Sequence, residues 1–293
     1  MKTINNVATL TNVNGVGVIA INFPPVNALS ASVRDGIHGA MQAAIADPAI
    51  DAVVLRCEGS TFIAGADITE FGKPPAGVSL GEVQRILEES PKPVVAAIHG
   101  TALGGGLEVA LVCHYRIAVP TARLGLPEVN IGLLPGAGGT QRLPRIVGPE
   151  AALEMMTSGA HVRAKDALQS GLLDELAPED DLSGAAVALA RRVVDEKRPL
   201  RKIRDQNEKV EAARGHPEIF AQFRQANAKK FRGFEAPKKI IECVEAAVNL
   251  PIDEGLQLER KYFMELMKGD QSAAQRYYFF ASRQAWNVPG LAK

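Results

Sequence analysis

The sequence predicts an α/β fold in which helices pack on sheets, and three observations indicate it. Two apolar segments, Val7–Val13 and Val16–Phe23, flank Asn14-Gly15, a dipeptide typical of the tight turn of a β-hairpin. A helical pattern with apolar residues four apart follows from Ser30 to Asp47. Short apolar strands then alternate with glycine-rich or helical segments, as in a sheet covered by helices. These strands are Ala52–Arg56, Val94–Ile98 and Tyr115–Val119.

From Pro149 the chain is predicted to be mainly helical. The expected helices are Ala151–Ser158, Ala164–Ser170 and Ala185–Lys197, and Gly159 and Gly171 are placed to end the first two. A highly charged stretch runs from Pro199 to Arg232, after which helical spacing of apolar residues returns. We therefore predict two parts, an α/β core at residues 1–197 and an all-helical extension at residues 198–293.

The charge balance argues against a nucleic-acid-binding protein. The 293 residues contain 33 Lys and Arg and 33 Asp and Glu, so no overall positive field exists. The charges are unevenly divided, however. Residues 1–197 contain 15 basic and 21 acidic residues, which leaves 18 and 12 for residues 198–293. The basic part could bind an anionic ligand or could simply be a solvated helical face.

The cysteines and the apolar segments exclude further classes of protein. Three cysteines, far apart in sequence and without a CxxC motif, favour neither a disulfide framework nor a metal site. The first residues lack the long apolar region of a signal peptide. The apolar stretch Pro93–Cys113 contains His99 and Glu108, which are costly in a bilayer, so no membrane span is expected. These features predict a reduced, cytoplasmic protein.

Two glycine-rich patterns imitate nucleotide-binding motifs. The residues Gly15 to Ala20 fit a loose GxGxxA pattern, but the first glycine lies in a hairpin turn and β-branched residues follow. The run from Gly136 to Gln141 resembles a phosphate-binding loop but lacks the GK[ST] that such a loop needs. We therefore expect neither a dinucleotide site nor a nucleotide triphosphate site.

Three other glycine-rich segments form a pattern that indicates chemistry. They are FIAGADI at 62–68, GTALGGGLE at 100–108, and GLPEVNIGLLPGAGGTQR at 125–142. Glycine is less favourable than alanine in a helix by about 1 kcal/mol per residue, so three consecutive glycines at a helix start are destabilising. Such a cost is tolerated where a ligand must approach the backbone closely. The first amides of a helix have no internal acceptor and could bind an oxyanion.

Glu108 and Glu128 are the two carboxylates in this pattern. Glu108 lies one turn after Gly105 in an apolar helix, where desolvation is expected to raise its pKa. Glu128 is also flanked by apolar residues and glycine. Two carboxylates in a dry pocket suit general acid–base chemistry. Taken singly, each glutamate could instead be structural, satisfying a helix dipole or capping the next segment.

In this order and spacing the three segments resemble the enoyl-CoA hydratase/isomerase (crotonase) family, with the two glutamates 20 residues apart. The resemblance covers about residues 1–197 and includes the segment PVNAL at 25–29 and GLLD at 171–174. The stretch from Ala236 to Gln284 is similar to the segment that joins hydratase and dehydrogenase halves in multifunctional fatty-acid β-oxidation enzymes. The resemblance implies a crotonase-like fold of repeated ββα units and spiral sheets, followed by the helical extension.

The resemblance also implies a reaction and roles for individual residues. The amides of Ala66 and Gly105 would bind the thioester oxygen, and Glu108 and Glu128 would be the acid–base pair. The implied reaction is reversible hydration of a trans-2-enoyl-CoA in fatty-acid β-oxidation. Isomerisation of a 3-enoyl-CoA to the 2-enoyl-CoA is a further candidate activity. The substrate's CoA would contact Val26, Ala28, Ala64, Asp67 and Ile68, and its phosphates would meet basic residues, the tail being the obvious supplier. No metal and no separate cofactor is implied.

The resemblance leaves several alternatives open. Another CoA-thioester reaction on the same fold, hydrolysis or decarboxylation, and a non-catalytic domain that docks a dehydrogenase are the competing functions. A 3-hydroxyacyl-CoA dehydrogenase domain or partner is implied by the tail, and a monomer is favoured over a trimer. The acyl chain length and the identity of the phosphate-binding residues are not predicted.

Overall fold

A computed structural model describes residues 1–70 and 72–285 of the chain. The last eight residues of the predicted extension, 286–293, lie outside the described residues. The strands are β1 (Lys2–Thr3), β2 (Ala8–Val13), β3 (Val16–Ile21), β4 (Ala52–Cys57), β5 (Val94–Ile98), β6 (Thr101–Leu103), β7 (Tyr115–Ala118), β8 (Arg123–Gly125), β9 (Val162–Arg163) and β10 (Glu175–Leu176).

Seven of these strands form one sheet and three form a second. The larger sheet has the order β1-β2-β3-β4-β5-β7-β10, antiparallel from β1 to β3 and parallel from β3 onward. The smaller sheet has the order β6-β8-β9. Asn14 and Gly15 have φ values of 51° and 81° between β2 and β3. Both residues therefore adopt the left-handed conformation of a tight hairpin turn, which confirms the predicted hairpin.

Twelve α-helices lie within the described ranges. They are α1 (Ala31–Ala46), α2 (Leu80–Glu88), α3 (Gly105–Val112), α4 (Gly139–Val147), α5 (Pro149–Ser158), α6 (Ala164–Ser170), α7 (Leu182–Asp195), α8 (Glu208–Ala213), α9 (Glu218–Ala226), α10 (Ala236–Asn249), α11 (Ile252–Lys268) and α12 (Asp270–Ala285). The chain is thus α/β with a helical C-terminal part, as predicted. None of these helices is long and apolar enough to cross a membrane.

The larger sheet is buried on both faces. On β3, Ile19 and Ile21 belong to the main hydrophobic core, whereas Val16 and Val18 contribute to a second core beneath α7. Burial on both faces explains why the strands read as continuous apolar runs. Residues of α10 share the main core with α4 and α5, so the extension packs directly on the α/β part. The division at residue 197 remains a prediction.

The structure differs from the sequence-based expectations in two segments. The helix predicted at 185–197 spans Leu182–Asp195, because the Asp181 side chain accepts a hydrogen bond from Gly184 N and starts the helix earlier. The charged stretch at 199–232 contains two short helices, α8 and α9, which agrees with the predicted helical extension. Helix α2 was not predicted, although Ser79 and Glu82 form a capping box at its start.

Candidate active site

Helix α3 carries Glu108 into the interior of the molecule. Every residue of this helix is buried, and a Cβ atom at Gly106 would clash with the carbonyl oxygen of Ile63, so glycine is required there. Glu108 is 3% exposed. Its Oε1 accepts hydrogen bonds from the backbone amides of Ala137, at 2.8 Å, and Gly139, at 2.9 Å. The carboxylate is therefore held in one orientation by the third glycine-rich segment.

Glu128 reaches the same region from the segment that follows β8. It begins a short 3₁₀ turn, and a Cβ atom at Gly104 would lie only 2.9 Å from its Oε1. The Oε2 of Glu128 is buried and has no hydrogen-bond partner among the described residues. Because an unpaired buried polar atom is costly, a carboxyl group in this state is typical of a functional site.

Ala66 and Gly105 place two backbone amides next to each other. The Leu29 amide donates a hydrogen bond to the carbonyl oxygen of Gly65 at 2.9 Å, and Leu29 and Ala66 form an isolated parallel β-bridge. This bridge holds Ala66 against the segment that follows β3. A Cβ atom on Gly105, the first residue of α3, would lie 3.5 Å from Ala66 N. Neither amide donates a hydrogen bond within the described part of the chain. Two adjacent free amides, one at the positive end of a helix, could stabilise an oxyanion.

One cavity of about 1150 Å³ brings all of the predicted site residues together. Its wall contains the catalytic, oxyanion and CoA-contact residues that the sequence predicted, which are Val26, Ala28, Ala64, Ala66, Asp67, Ile68, Gly105, Glu108 and Glu128. Arg204, Arg260, Phe279 and Phe280 of the extension also line it. The structure therefore gathers the three glycine-rich segments around one cavity and covers part of it with the extension.

Burial changes the acid–base properties of the two glutamates to different degrees. Burial raises the pKa of Glu108, while the amides of Ala137 and Gly139 and the charge of Arg142 lower it again. Burial and then the charge of Glu108 raise the pKa of Glu128 well above the usual carboxyl range. The pKa of both groups is therefore raised, that of Glu128 more strongly, so Glu108 is the stronger acid of the two.

A third buried carboxylate was missed in the sequence analysis. Glu259 of α11 is 1% exposed, and it accepts hydrogen bonds from the amides of Gly138 and Thr140. Burial and then the charge of Glu108 raise the pKa of Glu259 to about 8. The sequence gives no signal for this residue beyond its place in a helix of mixed charge, because its partners lie about 120 residues earlier.

A buried ion pair next to the two catalytic candidates was also missed. Arg142 binds Glu88 through Nε–Oε1 at 3.0 Å and Nη2–Oε2 at 2.9 Å, and both residues line the cavity. Gln84 Nε2 donates to the carbonyl oxygen of Ala137 at 2.6 Å. Helix α2 thus supports the same loop that holds Glu108. Within the described ranges, no group of three or more His, Cys, Asp or Glu residues could hold a metal ion.

The sequence matches the profile of the enoyl-CoA hydratase/isomerase family over residues 11–247. It is 44% identical over 280 residues to the peroxisomal bifunctional enzyme of Danio rerio, a match that covers 95% of this chain and 38% of the relative. It is 36% identical over 299 residues to the glyoxysomal fatty acid beta-oxidation multifunctional protein MFP-a of Cucumis sativus, covering 99% of this chain and 41% of the relative. The chain thus spans about two fifths of the length of these relatives.

Solved structures share the fold over nearly the whole chain. Carnitinyl-CoA hydratase from Mycobacterium avium has a TM-score of 0.70 and 29% sequence identity, and the match covers 95% of this chain and 97% of that one. An enoyl-CoA hydratase subunit from Geobacillus kaustophilus has a TM-score of 0.60 and 30% identity, covering 97% of each chain. These matches confirm the predicted crotonase-like fold.

Proposed function

Because the chain belongs to the enoyl-CoA hydratase/isomerase family, we propose that it adds water reversibly across the 2,3-double bond of a trans-2-enoyl-CoA. The product is the 3-hydroxyacyl-CoA. The observation that carries this proposal is the pair Glu108 and Glu128, which face one cavity beside the free amides of Ala66 and Gly105. Each part of the reaction has a group of the required chemistry there.

The two amides bind the carbonyl oxygen of the thioester. As water adds at C3, negative charge moves from the alkene to this oxygen, and the amides of Ala66 and Gly105 stabilise the resulting enolate. The loss of one such donor typically costs about 2.7–4 kcal/mol of transition-state stabilisation. Both donors are backbone groups of packed segments, so they need little reorganisation during the reaction.

The two glutamates move the protons. Glu108, ionised and held by two amides, accepts a proton from water while the water oxygen bonds to C3. Glu128, protonated because its pKa is raised well above the usual range, donates its proton to C2. The product has gained one water molecule. The cycle closes when the proton now on Glu108 returns to Glu128. The proposed reaction uses only water, the substrate and these two carboxyl groups, so it involves no cofactor, and CoA enters as part of the substrate.

The cavity wall offers cations for the phosphates of CoA. Arg85 of α2 and Arg260 of α11 are exposed at the cavity and form no ion pair within the described residues. We assign them to the CoA phosphates, with Val26, Ala28, Ala64, Asp67 and Ile68 on the adenine, pantetheine and thioester. Arg260 agrees with the expectation that the basic extension supplies part of the phosphate site.

The relatives' names suggest the metabolic setting. One is a fatty acid beta-oxidation multifunctional protein and another a bifunctional enzyme, so we place this hydratase in fatty-acid β-oxidation. A 3-hydroxyacyl-CoA dehydrogenase, as a further domain or as a partner, would consume its product. The relatives are named peroxisomal or glyoxysomal, so the cytoplasmic location remains a prediction, as does the monomeric state.

A 3,2-enoyl-CoA isomerase activity is the second candidate. Glu128 and Glu108 face the same cavity, and one carboxylate could remove a proton from C4 while the other returns one to C2. Incubation with a 3-enoyl-CoA tests this activity. The appearance of conjugated 2-enoyl absorbance, followed by its loss through hydration, is expected if both activities are present.

The hydratase proposal is tested with crotonyl-CoA and longer trans-2-enoyl-CoA homologues. Purified protein is expected to remove the absorbance of the conjugated enoyl thioester and to form 3-hydroxyacyl-CoA, identified by mass spectrometry. Glu128→Gln should lower kcat at least a hundredfold, because the amide group is far too weak an acid to protonate C2. Release of free CoA in place of hydration would favour the hydrolase alternative. Release of CO₂ from a CoA thioester that carries a free carboxylate, such as malonyl-CoA, would favour the decarboxylase alternative. Near-normal activity of E128Q would reject the role of Glu128.

A further inference from the structure

Four consecutive amides at the start of α4 alternate between two buried carboxylates. The amides of Ala137 and Gly139 donate to Glu108 Oε1 at 2.8 and 2.9 Å. The amides of Gly138 and Thr140 donate to Glu259 at 2.6 and 3.0 Å. The peptide between Ala137 and Thr140 is therefore clamped from two sides, by a glutamate of the α/β part and by one of the extension.

Glu259 makes a further contact that fixes its carboxylate. Its Oε2 lies 2.5 Å from the hydroxyl of Thr140, which in turn accepts a hydrogen bond from Gln141 Nε2 at 3.0 Å. Each carboxylate oxygen of Glu259 thus has a partner. An acidic side chain that is 1% exposed and fully hydrogen-bonded has a single orientation available to it.

Helix α11 presses on the same loop with neighbouring side chains. A Cβ atom at Gly136 would overlap the ring of Phe263, and a Cβ atom at Gly255 would overlap the side chain of Gln141. Gly255, Glu259 and Phe263 are spaced four residues apart and so share one face of α11. This face of α11 packs against the loop at residues 136–141, and Glu259 makes the polar contact at its centre.

We propose that Glu259 is a positioning residue of the active site, which holds the loop 137–140 so that the amides of Ala137 and Gly139 orient the Glu108 carboxylate. The inference rests on the proposed hydratase function and extends it, because it makes the C-terminal extension part of the catalytic apparatus. Without Glu259 the amides of Gly138 and Thr140 would lose their acceptors, and the loop would turn to satisfy them.

A contact between α11 and the loop made only by apolar side chains would leave the amides of Gly138 and Thr140 without acceptors. Burying a carboxylate is expensive, and the hydrogen bonds from these amides and from the Thr140 hydroxyl offset this cost. The ionisable groups around Glu259 are Glu108 on α3, Glu128 after β8, and Cys243 on α10, and Arg142 on α4 lies beside Gly138. Glu259 therefore also influences the electrostatics of the catalytic pair.

The kinetic test compares Glu259→Gln and Glu259→Leu with the matched control Glu265→Gln. Glu265 is exposed on the same helix, where it pairs with Lys239. Misorientation of the base is expected to lower kcat about tenfold or more in E259Q and further in E259L, with KM for crotonyl-CoA changed less than about threefold. E265Q should match the wild type in each measurement.

The second test measures the loop directly and does not depend on activity. Amide hydrogen exchange followed by NMR should become faster in E259Q at Ala137 and Gly139, although neither amide bonds Glu259, and remain unchanged in E265Q. Wild-type kcat together with wild-type exchange at these two amides would overturn the inference. If the wild-type protein hydrates no enoyl-CoA, the proposed function fails, and the exchange result still decides whether Glu259 holds the loop.

A milder variant covers the case in which the Glu259 substitutions prevent folding. Thr140→Val removes only the hydroxyl that contacts Glu259 Oε2 and leaves the backbone amide in place. It should lower kcat about threefold and speed exchange at Gly139 in the same direction as E259Q. Unchanged kcat and unchanged exchange in T140V would likewise contradict the inference.

Discussion

The carboxylate of Glu128 occupies space that a single missing Cβ atom leaves free. Gly104 lies directly before α3 with φ at 52°, and a Cβ atom on it would come within 2.9 Å of Glu128 Oε1. The residue thus serves the active site twice, because only glycine adopts this backbone conformation easily and only glycine leaves room for the acid. Its neighbour Gly105 supplies one of the two free amides that we assign to the thioester oxygen.

Gly104→Ala should therefore affect catalysis more than stability. The matched control is Gly59→Ala, at a position that also has positive φ, 79°, but with nothing within 4 Å of the added Cβ. Both variants should lose stability, on the order of 1–3 kcal/mol for the strained backbone. Only G104A should lower kcat for enoyl-CoA hydration tenfold or more, because it displaces Glu128. Equal kcat in the two variants would show that the Glu128 carboxylate tolerates the added methyl group.

At the scale of the elements, helix α2 contributes to the site without touching the reaction itself. It carries Gln84, which bonds the carbonyl of Ala137, and Glu88, which pairs with the buried Arg142. Its start is fixed by the capping box of Ser79 and Glu82. The helix is short, nine residues, so the cap is a large share of its local stability.

Ser79→Ala should lower the free energy of unfolding by about 1 kcal/mol, because the first turn of α2 loses its cap. Thermal unfolding followed by circular dichroism measures the effect, which corresponds to a decrease in Tm of roughly 2–4 °C for a protein of this size. Ser183→Ala, at an exposed position in the first turn of α7, is the control and should leave Tm unchanged. A similar Tm for both variants would mean that the capping box adds nothing to the stability of α2.

The elements also show which features the sequence can predict. Hairpin, strand and helix patterns depend on neighbouring residues, so β2, β3, β5 and α6 were predicted to within about two residues. The glycine-rich segments indicated the site because each glycine responds to a local backbone requirement. Glu259 could not be found in this way, because its role depends on packing between α11 and a loop about 120 residues earlier. Helix α2 follows Pro74, Pro75 and Gly77, residues typical of a loop, and the capping box of Ser79 and Glu82 is the local signal for its start.

At the scale of the whole molecule, the acidic α/β part and the basic extension contribute charges of opposite sign to the same cavity. The acidic part of the chain contributes Glu108 and Glu128, and the basic extension contributes Arg204 and Arg260 to the same wall. Arg204 pairs with Asp253, whereas Arg260 has no ion pair within the described residues. The extension thus adds a positive charge, without an ion pair in the described part of the chain, to a cavity whose proposed catalytic groups are acidic.

Arg260→Gln should raise KM for crotonyl-CoA about tenfold with little change in kcat, because it removes a charge-assisted contact with a phosphate. The control is the substrate, crotonyl-pantetheine, which lacks the nucleotide and its phosphates. For that substrate R260Q and the wild type should have the same KM. Arg85→Gln should behave in the same way. An equal rise in KM for both substrates would place Arg260 near the acyl or pantetheine portion.

Three glutamates with raised pKa values, Glu108, Glu128 and Glu259, should make the stability of the whole molecule depend on pH. Their raised pKa values mean that the native state holds protons that the unfolded state has released, so the free energy of unfolding falls as pH rises above the usual carboxyl range. For Glu259 this fall ends near its pKa of about 8. His114, whose pKa burial lowers to about 4, gives the opposite slope only below about pH 6.5. Burial also raises the pKa of the thiols of Cys57, Cys113 and Cys243, which adds to the fall as pH approaches 8.5. Comparison with a Glu259 variant between pH 6.5 and 8.5 therefore isolates the contribution of Glu259.

Urea unfolding of the wild type and of E259Q at pH 6.5 and 8.5 measures this contribution. The wild type should lose more stability between the two pH values than E259Q, by on the order of 1–2 kcal/mol, since the amide has no proton to release. E265Q, which leaves Glu108, Glu128 and Glu259 in place, should follow the wild type. If E259Q and the wild type lose the same amount, Glu259 is ionised throughout this interval, and its hydrogen bonds with Gly138 and Thr140 outweigh the cost of burying its charge.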